Sequence, residues 1–228
     1  NNGNGSYSGH VRIYNWSGSS WTQLGADIDG ENSYDNSGYS VSLSSDGNIV
    51  AIGAPYNDGN SGNAYDRRGH VRIYSWDGSL WNQLGNDIDG EASSDYSGSS
   101  VSLSSDGNTV AIGAYGNDGN GSNAGHVRIY NYNGSSWTQL GNDIDGEAAS
   151  DQSGWSVSLS SNGNTVAIGA PYNDGNGSNS GHVRIYNYNG STWNQLGYDI
   201  DGEAASDQSG SSVFLSSDGN TVAIGAYS

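Results

Sequence analysis

The sequence predicts an all-β fold made of four tandem units, and three observations predict it. First, one eight-residue segment recurs as GHVRIYNW, GHVRIYSW, GHVRIYNY and GHVRIYNY, starting at Gly9, Gly69, Gly125 and Gly181. Steps of 56 to 60 residues between copies suit a tandem four-stranded β unit. Second, apolar and polar residues alternate in short runs bounded by Asp-Gly, Asn-Gly and Ser-Gly turn pairs. Third, the chain has only two Pro and no helical periodicity.

Each unit contains four predicted strands, which we name A to D from the serine-rich segment onward. Strand A of the first unit covers residues 40–44, where Val41 and Leu43 point to one face and the serines to the other. Strand B, Ile49 to Ala54, places Val50 and Ile52 opposite small residues. The Ser-Asp-Gly-Asn segment between these strands predicts a tight hairpin turn.

Strands C and D are bulkier than strands A and B. Strand C, Gly9 to Trp16, carries Tyr, Trp and Arg, and strand D carries Trp21 and Leu24. Units that are slim at A and B and wide at C and D are wedges, and wedges arranged around an axis form a β-propeller. The predicted fold class is therefore a β-propeller-type series of tandem blades, with four four-stranded antiparallel units of about 57 residues.

The two ends of the chain are in register with each other. Joined end to start they read GAYSNNGNGSYSGH, which aligns with GAPYNDGNGSNSGH from Gly169 to His182. We expect a single repeat domain over residues 1–228, and the last unit would be completed by residues 1–8 of the same chain or of a neighbouring copy. The expected units are 9–68, 69–124, 125–180 and 181–228. The expected partners are copies of the chain or flanking repeats.

These residues resemble the FG-GAP repeats of integrin-like β-propellers. The resemblance covers all four units through SGYSVSLSSDGNIVAIGAP, residues 37–55, and its copies. The Gly-Ala-Pro part of the motif is present unchanged at 53–55 and 169–171. In the Phe-Gly part, Ser replaces Phe in every unit, as at Ser37 before Gly38. The resemblance implies a propeller that serves in adhesion, in carbohydrate binding or as a scaffold.

Composition excludes several classes of partner and chemistry. The formal net charge is −18, with six Arg and no Lys, so nucleic acid and anionic membrane surfaces are repelled. No apolar run is long enough for insertion into a bilayer. The absence of Cys excludes disulfides and thiol chemistry. A chain without Cys, Met or Lys suits an exposed exterior, and we expect an extracellular or cell-surface location.

Two acidic segments in each unit invite comparison with metal sites. The resemblance implies a calcium loop between strands A and B, but one carboxylate at most remains there, as at Asp46, and calcium takes six to eight oxygens. No metal or other cofactor is expected at this hairpin. The DIDGE segments between strands D and A are the alternative calcium loops, and turn capping by their Asp side chains is the competing interpretation. Their candidate ligands are Asp29, Glu31, Asp35, Asp145, Glu147 and Asp151.

Histidine and arginine recur once per unit in strand C. Equivalent histidines on different units lie too far apart to share one ion, so we expect a solvated or hydrogen-bonded role at the strand end. A buried Arg needs a carboxylate partner, and we expect the arginines to form ion pairs between units with the DIDGE acids. The histidines are His10, His70, His126 and His182, and the arginines are Arg12, Arg72, Arg128 and Arg184.

Six sequons lie in or beside the turns that flank strand C, where a glycan has room. The glycosylation candidates are Asn4, Asn15, Asn120, Asn133, Asn176 and Asn189.

One loop, Asn57 to His70, is four residues longer than its equivalents and holds Arg67 and Arg68. That loop is either a contact with an acidic neighbouring unit or a tolerated surface insertion.

The sequence predicts no enzyme, because no local nucleophile signature accompanies the serines and every polar feature recurs in all units. We expect a structural or adhesive protein that assembles head to tail into a filament or a larger ring. The alternative is a carbohydrate-binding module whose aromatic residues stack on sugars, with glycans as partners. Those aromatic residues are Trp16, Trp21, Trp76, Trp81, Trp137 and Trp193, which packing between blades would also explain.

Overall fold

A computed structural model describes residues 4–59, 63 and 65–227, which form strands and turns. Within these ranges no helix is long and apolar enough to cross a membrane. The prediction of an all-β chain of repeated strand units is confirmed. Three complete sheets lie between two partial sheets, one at each end of the chain.

The N-terminal half-sheet holds only strands C and D of a unit. Its strands are β1 (His10–Val11), β2 (Tyr14–Trp16), β3 (Trp21–Gln23) and β4 (Ile28–Asp29). β1 pairs with β4, and β2 pairs with β3, both antiparallel. Strand C is interrupted between β1 and β2, whereas each of its later copies is one continuous strand of seven residues.

Each complete sheet has five antiparallel strands. Sheet 1 (40–89) contains β5 (Ser40–Leu43), β6 (Ile49–Ala54), β7 (His70–Trp76), β8 (Trp81–Gln83) and β9 (Ile88–Asp89). Sheet 2 (100–145) contains β10 (Ser100–Leu103), β11 (Thr109–Ala114), β12 (His126–Tyr132), β13 (Trp137–Gln139) and β14 (Ile144–Asp145). Sheet 3 (156–201) contains β15 (Ser156–Leu159), β16 (Thr165–Ala170), β17 (His182–Tyr188), β18 (Trp193–Gln195) and β19 (Ile200–Asp201). The C-terminal half-sheet contains β20 (Ser212–Leu215) and β21 (Val222–Gly225), which are strands A and B.

The sheets have one more strand than the four predicted for each unit. The strand order A-B-C-D is present, but β8 pairs only with the second half of β7. The first half of β7 pairs with β9, which is the Ile-Asp part of the DIDGE segment. Because β7 has seven residues and β8 has three, half of strand C would otherwise be an open edge. This fifth strand lies in the segment that was expected to be only a connection between strands D and A.

Consecutive sheets pack face to face, and the core lies between them. Between sheets 1 and 2, Ala51 and Ile73 share a buried cluster with Val101 and Ile112. The same arrangement recurs between sheets 2 and 3. Strand B is buried on both faces, with its Val and Ile toward the preceding sheet and its Ala and Gly toward the next.

The serine-rich strands A contact one another along one side of the stack. The backbone N–H of Leu103 donates to Ser42 Oγ at 2.9 Å, and equivalent bonds join the later sheets. Ser40 Oγ donates to the Gly98 carbonyl of sheet 2 at 2.7 Å. Serine is small enough for this close approach and also satisfies buried backbone groups.

Two glycines of the motif meet at every complete interface. A Cβ built on Gly53 would lie 2.0 Å from the carbonyl oxygen of Gly98 in the next sheet. Gly98 itself has a φ of +84°, which disfavours residues with a side chain. Only glycine on both sides allows the two backbones to touch. The same pair recurs as Gly113 with Gly154 and as Gly169 with Gly210.

Candidate functional site

A polar cluster lies at the outer side of the interface that precedes each of sheets 1, 2 and 3. In sheet 2, His126 and Arg128 are two residues apart on β12, so their side chains share one face. Asp143 immediately precedes β14, which pairs with β12 at His126. Glu91 follows β9 of the preceding sheet. Two neighbouring sheets thus contribute one cluster, which we call the inter-sheet cluster.

The distances within this cluster distinguish an ion pair from looser contacts. Arg128 Nη1 is 3.5 Å from Glu91 Oε1, and Nη2 donates to the Asp89 carbonyl at 2.7 Å. His126 Nδ1 is 3.8 Å from Asp143 Oδ2 and 4.0 Å from Glu91 Oε2. The histidine contacts are too long for hydrogen bonds. His126 is 1% exposed, and neither of its ring nitrogens has a hydrogen-bond partner.

The same geometry recurs between the N-terminal half-sheet and sheet 1, and between sheets 2 and 3. His70 Nδ1 is 3.7 Å from Asp87 Oδ2 and 3.9 Å from Glu31 Oε2. For His182 the corresponding distances to Asp199 and Glu147 are 3.8 and 3.9 Å. Each set places one imidazole nitrogen and two carboxylate oxygens within 4.8 Å of one another.

Burial determines the charge state of these groups. Burial lowers the pKa of the His70 imidazole to about 4, although Asp87 opposes the shift. Burial and then the neighbouring arginine lower the pKa of His126 and of His182 as well. Burial also raises the pKa of the Glu31 carboxyl, against the effect of Arg72. At neutral pH each cluster therefore presents a neutral imidazole.

The structure separates the predicted metal ligands of the DIDGE segments. Glu31 and Glu147 lie in inter-sheet clusters, whereas the backbone carbonyls of Asp29 and Asp145 accept hydrogen bonds from arginines of the next sheet. Asp35 instead accepts bonds from the Asn57 side chain at 3.0 Å and from the Asn32 N–H at 2.8 Å, which is turn capping. Asp151 accepts equivalent bonds from Asn173 and Ala148.

The structure places three of the four predicted arginines across interfaces. Arg72, Arg128 and Arg184 each face the glutamate of the preceding sheet, at 3.5 to 3.6 Å. Arg12 lies in the first sheet of the described residues, and its guanidinium is 5.9 Å from the ring centre of Tyr14.

Histidine was expected to be solvated or hydrogen-bonded at the strand end. The solvated role was wrong for His70, His126 and His182, which are almost fully buried, and among the described residues His126 has no hydrogen-bond partner either. Comparing the histidines only with one another left out their carboxylate neighbours. The sequence does contain a signal for these neighbours, because Glu and Asp recur at the same period as His.

The tryptophans of strand D join neighbouring sheets. Trp81 Nε1 donates to the Leu24 carbonyl of the preceding sheet at 2.9 Å. Trp137 and Trp193 make the same bond to Leu84 and Leu140 at 2.8 Å. Trp21 and its neighbour Trp16 remain exposed, and Trp76 stacks beside Trp81. Packing between sheets thus accounts for Trp81, Trp137 and Trp193.

The hairpin carboxylates and the sequons lie at the surface. Asp46 accepts a bond from Ser44 Oγ at 2.6 Å and caps the turn through the Asn48 N–H. All six candidate asparagines are exposed. The amides of Asn4, Asn120 and Asn176 donate to carbonyls of the DIDGE turns at 2.8 to 2.9 Å. Their glycosylation stays a prediction.

The longer loop forms one side of a cleft. The cleft has a volume of about 570 Å³ and is lined by Tyr7, Tyr34, Asn36, Tyr56, Asp58, Tyr65 and Arg67. The rings of Tyr7 and Tyr34 are stacked at 5.7 Å, and the Arg67 guanidinium lies 5.9 Å from the centre of the Tyr56 ring. The second arginine of the loop, Arg68, pairs with Asp66 at 2.8 Å. Part of the loop, residues 60–62 and 64, lies outside the described residues.

The two ends of the stack expose surfaces that are buried elsewhere. Val41 and Leu43 of sheet 1 are 54% and 49% exposed, whereas Val101 and Leu103 are 9% and 7% exposed. At the other end, Leu196, Ile200 and Phe214 are exposed. Among the residues that the structure describes, β21 pairs with β20 alone, although strand B of every complete sheet also pairs with strand C.

Comparison with known proteins identifies the repeat. Residues 27–65, 88–130 and 144–186 match the sequence model of the FG-GAP repeat, which confirms the resemblance drawn from the sequence. No curated protein matches the chain. A solved structure from Bacteroides uniformis, described as a 6-phosphogluconolactonase, is similar with 12% identity and a TM-score of 0.53, over 81% of this chain and 46% of that one. Hydrazine synthase from Kuenenia stuttgartiensis is similar with 11% identity and a TM-score of 0.50, over 81% and 40%. These likenesses concern the fold alone, and the chain spans less than half the length of either structure.

Proposed function

The chain belongs to the FG-GAP repeat family, and from this we propose that it is an extracellular structural or adhesive protein whose sheets form a β-propeller completed by a second copy. FG-GAP repeats are generally non-enzymatic and are typical of extracellular or surface proteins. One observation carries the proposal: the N-terminal half-sheet holds strands C and D, and the C-terminal half-sheet holds strands A and B. The two halves together make one complete sheet.

The open edges have matching registers. In sheet 1, Ala51 of β6 lies opposite Ile73 of β7, and Gly53 lies opposite Val71. The same register sets Ala223 of one copy opposite Ile13 of a second. Strand C would then gain a neighbour at the two residues where it is interrupted, and the unpaired N–H and C=O groups of β21 would gain partners.

The outer contacts of a complete interface also have their counterparts at the open ends. Gly85 and Gly141 each lie beside a tryptophan of the next sheet, but a Cβ on Gly197 would meet nothing within 4 Å. Trp21 of a second copy would fill this space, with its indole N–H directed at the carbonyl of Leu196. Glu203 would likewise face Arg12 of the second copy.

The inner contacts follow the same pattern. Val41 and Leu43 of the second copy would cover the small face of β21, as Val101 and Leu103 cover that of β6. Gly38 would meet Gly225, which at present contacts only Ser212 of its own half-sheet. One contact differs. Between sheets 1 and 2, Ser42 accepts a hydrogen bond from the Leu103 N–H, but the position that corresponds to Ser42 in the C-terminal half-sheet is Phe214. The junction would hold an aromatic ring in place of that hydrogen bond.

Joining two copies at both junctions would pair the N-terminal half-sheet of each copy with the C-terminal half-sheet of the other. Two chains joined at both junctions would leave no open edge. Closed oligomers of this kind have a defined mass, whereas a filament does not.

Engineered cysteines test the junction directly, because the chain has no Cys. Thr165 and Asn187 are paired in sheet 3, and their side chains are 3.2 Å apart. Their counterparts at the junction are Thr221 and Asn15, which are both exposed. We expect T221C chains mixed with N15C chains to form a disulfide-linked dimer under mild oxidation.

The control for this experiment pairs T221C with N82C, which lies on the surface of sheet 1 outside the junction. Equal cross-linking in this control would contradict the proposal. A chain that carries both T221C and N15C separates the alternatives, because rapid closure within one chain would show that the ring closes on itself. Mixed chains that do not cross-link at all would exclude a second copy.

The cleft of the longer loop favours carbohydrate binding as a second candidate function. Stacked tyrosines beside amide, carboxylate and guanidinium groups are the usual composition of a sugar site. Soluble oligosaccharides should bind the wild-type chain, and Y34A should abolish the binding. Y198A removes a tyrosine that is exposed outside the cleft and should bind normally. A glycan array without any binder would exclude this function.

A further inference from the structure

We infer that each inter-sheet cluster is a binding site for a first-row divalent cation of the zinc class, with His Nδ1 and two carboxylate oxygens as ligands. The structure contains three such clusters in the described residues, built alike from Glu31, His70 and Asp87 and from their equivalents. This inference concerns interfaces within one chain and does not depend on assembly.

The orphaned imidazole is the observation that points to a ligand. His126 is 1% exposed, and both of its ring nitrogens lack a hydrogen-bond partner in the part of the chain that the structure describes. A buried polar group without a partner is costly, and native proteins rarely keep one without a reason. The Nδ1 atom lies between two carboxylates and is too far from either for a hydrogen bond. A cation between the three groups would satisfy all of them.

The neighbouring side chains hold both carboxylates in place for such an ion. Gln139 donates to Asp143 Oδ1 at 2.6 Å, and Arg128 occupies Glu91 Oε1. The remaining oxygens, Oδ2 and Oε2, are the ones that face His126. Such outer partners usually orient the ligands of metal sites. Gln83 and Gln195 make the same bond to Asp87 and Asp199.

Distance and charge both fit a small divalent ion. Two ligands that are each about 2.1 Å from zinc lie about 3.4 Å apart at the tetrahedral angle. The histidine nitrogen lies 3.7 to 4.0 Å from each carboxylate oxygen, and all three ligand atoms lie within 4.8 Å of one another, so binding requires side-chain shifts of about 0.5 to 1.5 Å. Two carboxylates against one arginine leave an excess negative charge, which favours a bound cation. A mixed imidazole and carboxylate set suits zinc better than calcium.

Zinc titration of the chelator-treated chain tests this inference. The V41D background keeps the chains single, so that a failure of assembly and a failure of metal binding are distinguishable. We expect calorimetry and native mass spectrometry to give three zinc ions per chain. The variant D87N/D143N/D199N should bind zinc at least about tenfold more weakly.

A matched control variant removes the same number of charges elsewhere. D46N/D106N/D218N changes three hairpin carboxylates that cap turns, and it should still bind three ions. The inference would be overturned if the wild-type chain bound no zinc at micromolar concentrations, or if both variants lost binding equally.

His10 and Asp27 form a partial cluster in the N-terminal half-sheet. If the proposed assembly is also correct, Glu203 of a second copy completes a fourth site, and stoichiometry rises to four on assembly.

Discussion

The complete interfaces and the open ends are built from the same residues in two environments. Val101 and Leu103 are buried against sheet 1, whereas the identical pair Val41 and Leu43 is half exposed. Strand C is continuous in the three complete sheets and interrupted in the N-terminal half-sheet, although all copies begin HVRIY. The difference lies in the neighbour and not in the local sequence. The neighbouring sheet therefore determines both burial and strand continuity.

The largest expected difference comes from a charge placed in the two environments. V101D would bury an unpaired carboxylate between sheets 1 and 2 and should lower the free energy of unfolding by about 4 kcal/mol. V41D in single chains should change it by less than about 0.5 kcal/mol, because the side chain is half exposed. Urea denaturation of dilute protein measures both. Equal losses would show that the open end is already covered.

Glycine to alanine substitutions give the next largest contrast. The added Cβ of G53A would overlap the Gly98 carbonyl, and we expect a loss of about 3 kcal/mol. G225A has no neighbouring sheet in a single chain, and its Cβ would meet only the flexible Ser212 side chain, so the cost should be below about 1 kcal/mol. The added Cβ would contact Ser40 in G53A and Ser212 in G225A at the same distance. The effect of this serine contact therefore cancels when the two variants are compared. Thermal unfolding of dilute variants would refute the account if G225A were the more damaging.

Acid should weaken the complete interfaces through their buried histidines. An unfolded histidine titrates near pH 6.5, and folded His70 titrates at about 4. Between these values the unfolded state binds the extra proton, so stability is present above pH 6.5 and falls as the pH is lowered toward 4. From pH 7 to 5 the loss should be about 2 kcal/mol for His70. Glu31, whose pKa is raised, offsets part of this loss at the lower end.

The measurement for this prediction is the free energy of unfolding of metal-free protein at several pH values. H70N should make the curve shallower by about 2 kcal/mol between pH 7 and 5, since it removes one of the three buried histidines with a lowered pKa. H10N, in the N-terminal half-sheet, is the matched substitution for comparison. A wild-type curve that is flat from pH 7 to 5 would contradict the burial of neutral histidine.

The smallest contrast concerns a single hydrogen bond. W81F removes the bond from the indole N–H to the Leu24 carbonyl and should cost about 1 kcal/mol. In single chains W21F should cost nothing measurable, since Trp21 is 67% exposed. In the assembled protein both variants should cost the same. Chemical denaturation below and above the assembly concentration checks this prediction.

The repeated sequence allowed most of the fold to be predicted and left the contacts between units open. Alternation in strands A and B predicted the hairpin that pairs Val41 with Ile52. The fifth strand was missed because Ile88 and Asp89 form a strand only where β8 leaves part of β7 unpaired. Pairing of this kind depends on the relative lengths of two strands, which local patterns do not report.

The contacts within the inter-sheet clusters could be predicted even less well from the sequence. His70 and Asp87 belong to one unit, but Glu31 comes from the unit before it. Periodicity reveals that these residues recur, but it does not reveal which copy meets which neighbour. The arginines were assigned to contacts between units because a buried charge requires a partner. A neutral histidine carries no such requirement, so its neighbours could not be predicted in the same way.

The mass of the protein in solution tests the central claim most directly. Multi-angle light scattering at tens of micromolar should give about twice 23.6 kDa for the wild-type chain and 23.6 kDa for V41D. Moderate salt is needed, because a net charge of −18 on each chain opposes association. A wild-type mass of 23.6 kDa at every concentration, or a V41D mass equal to that of the wild type, would contradict completion of the sheet by a second copy.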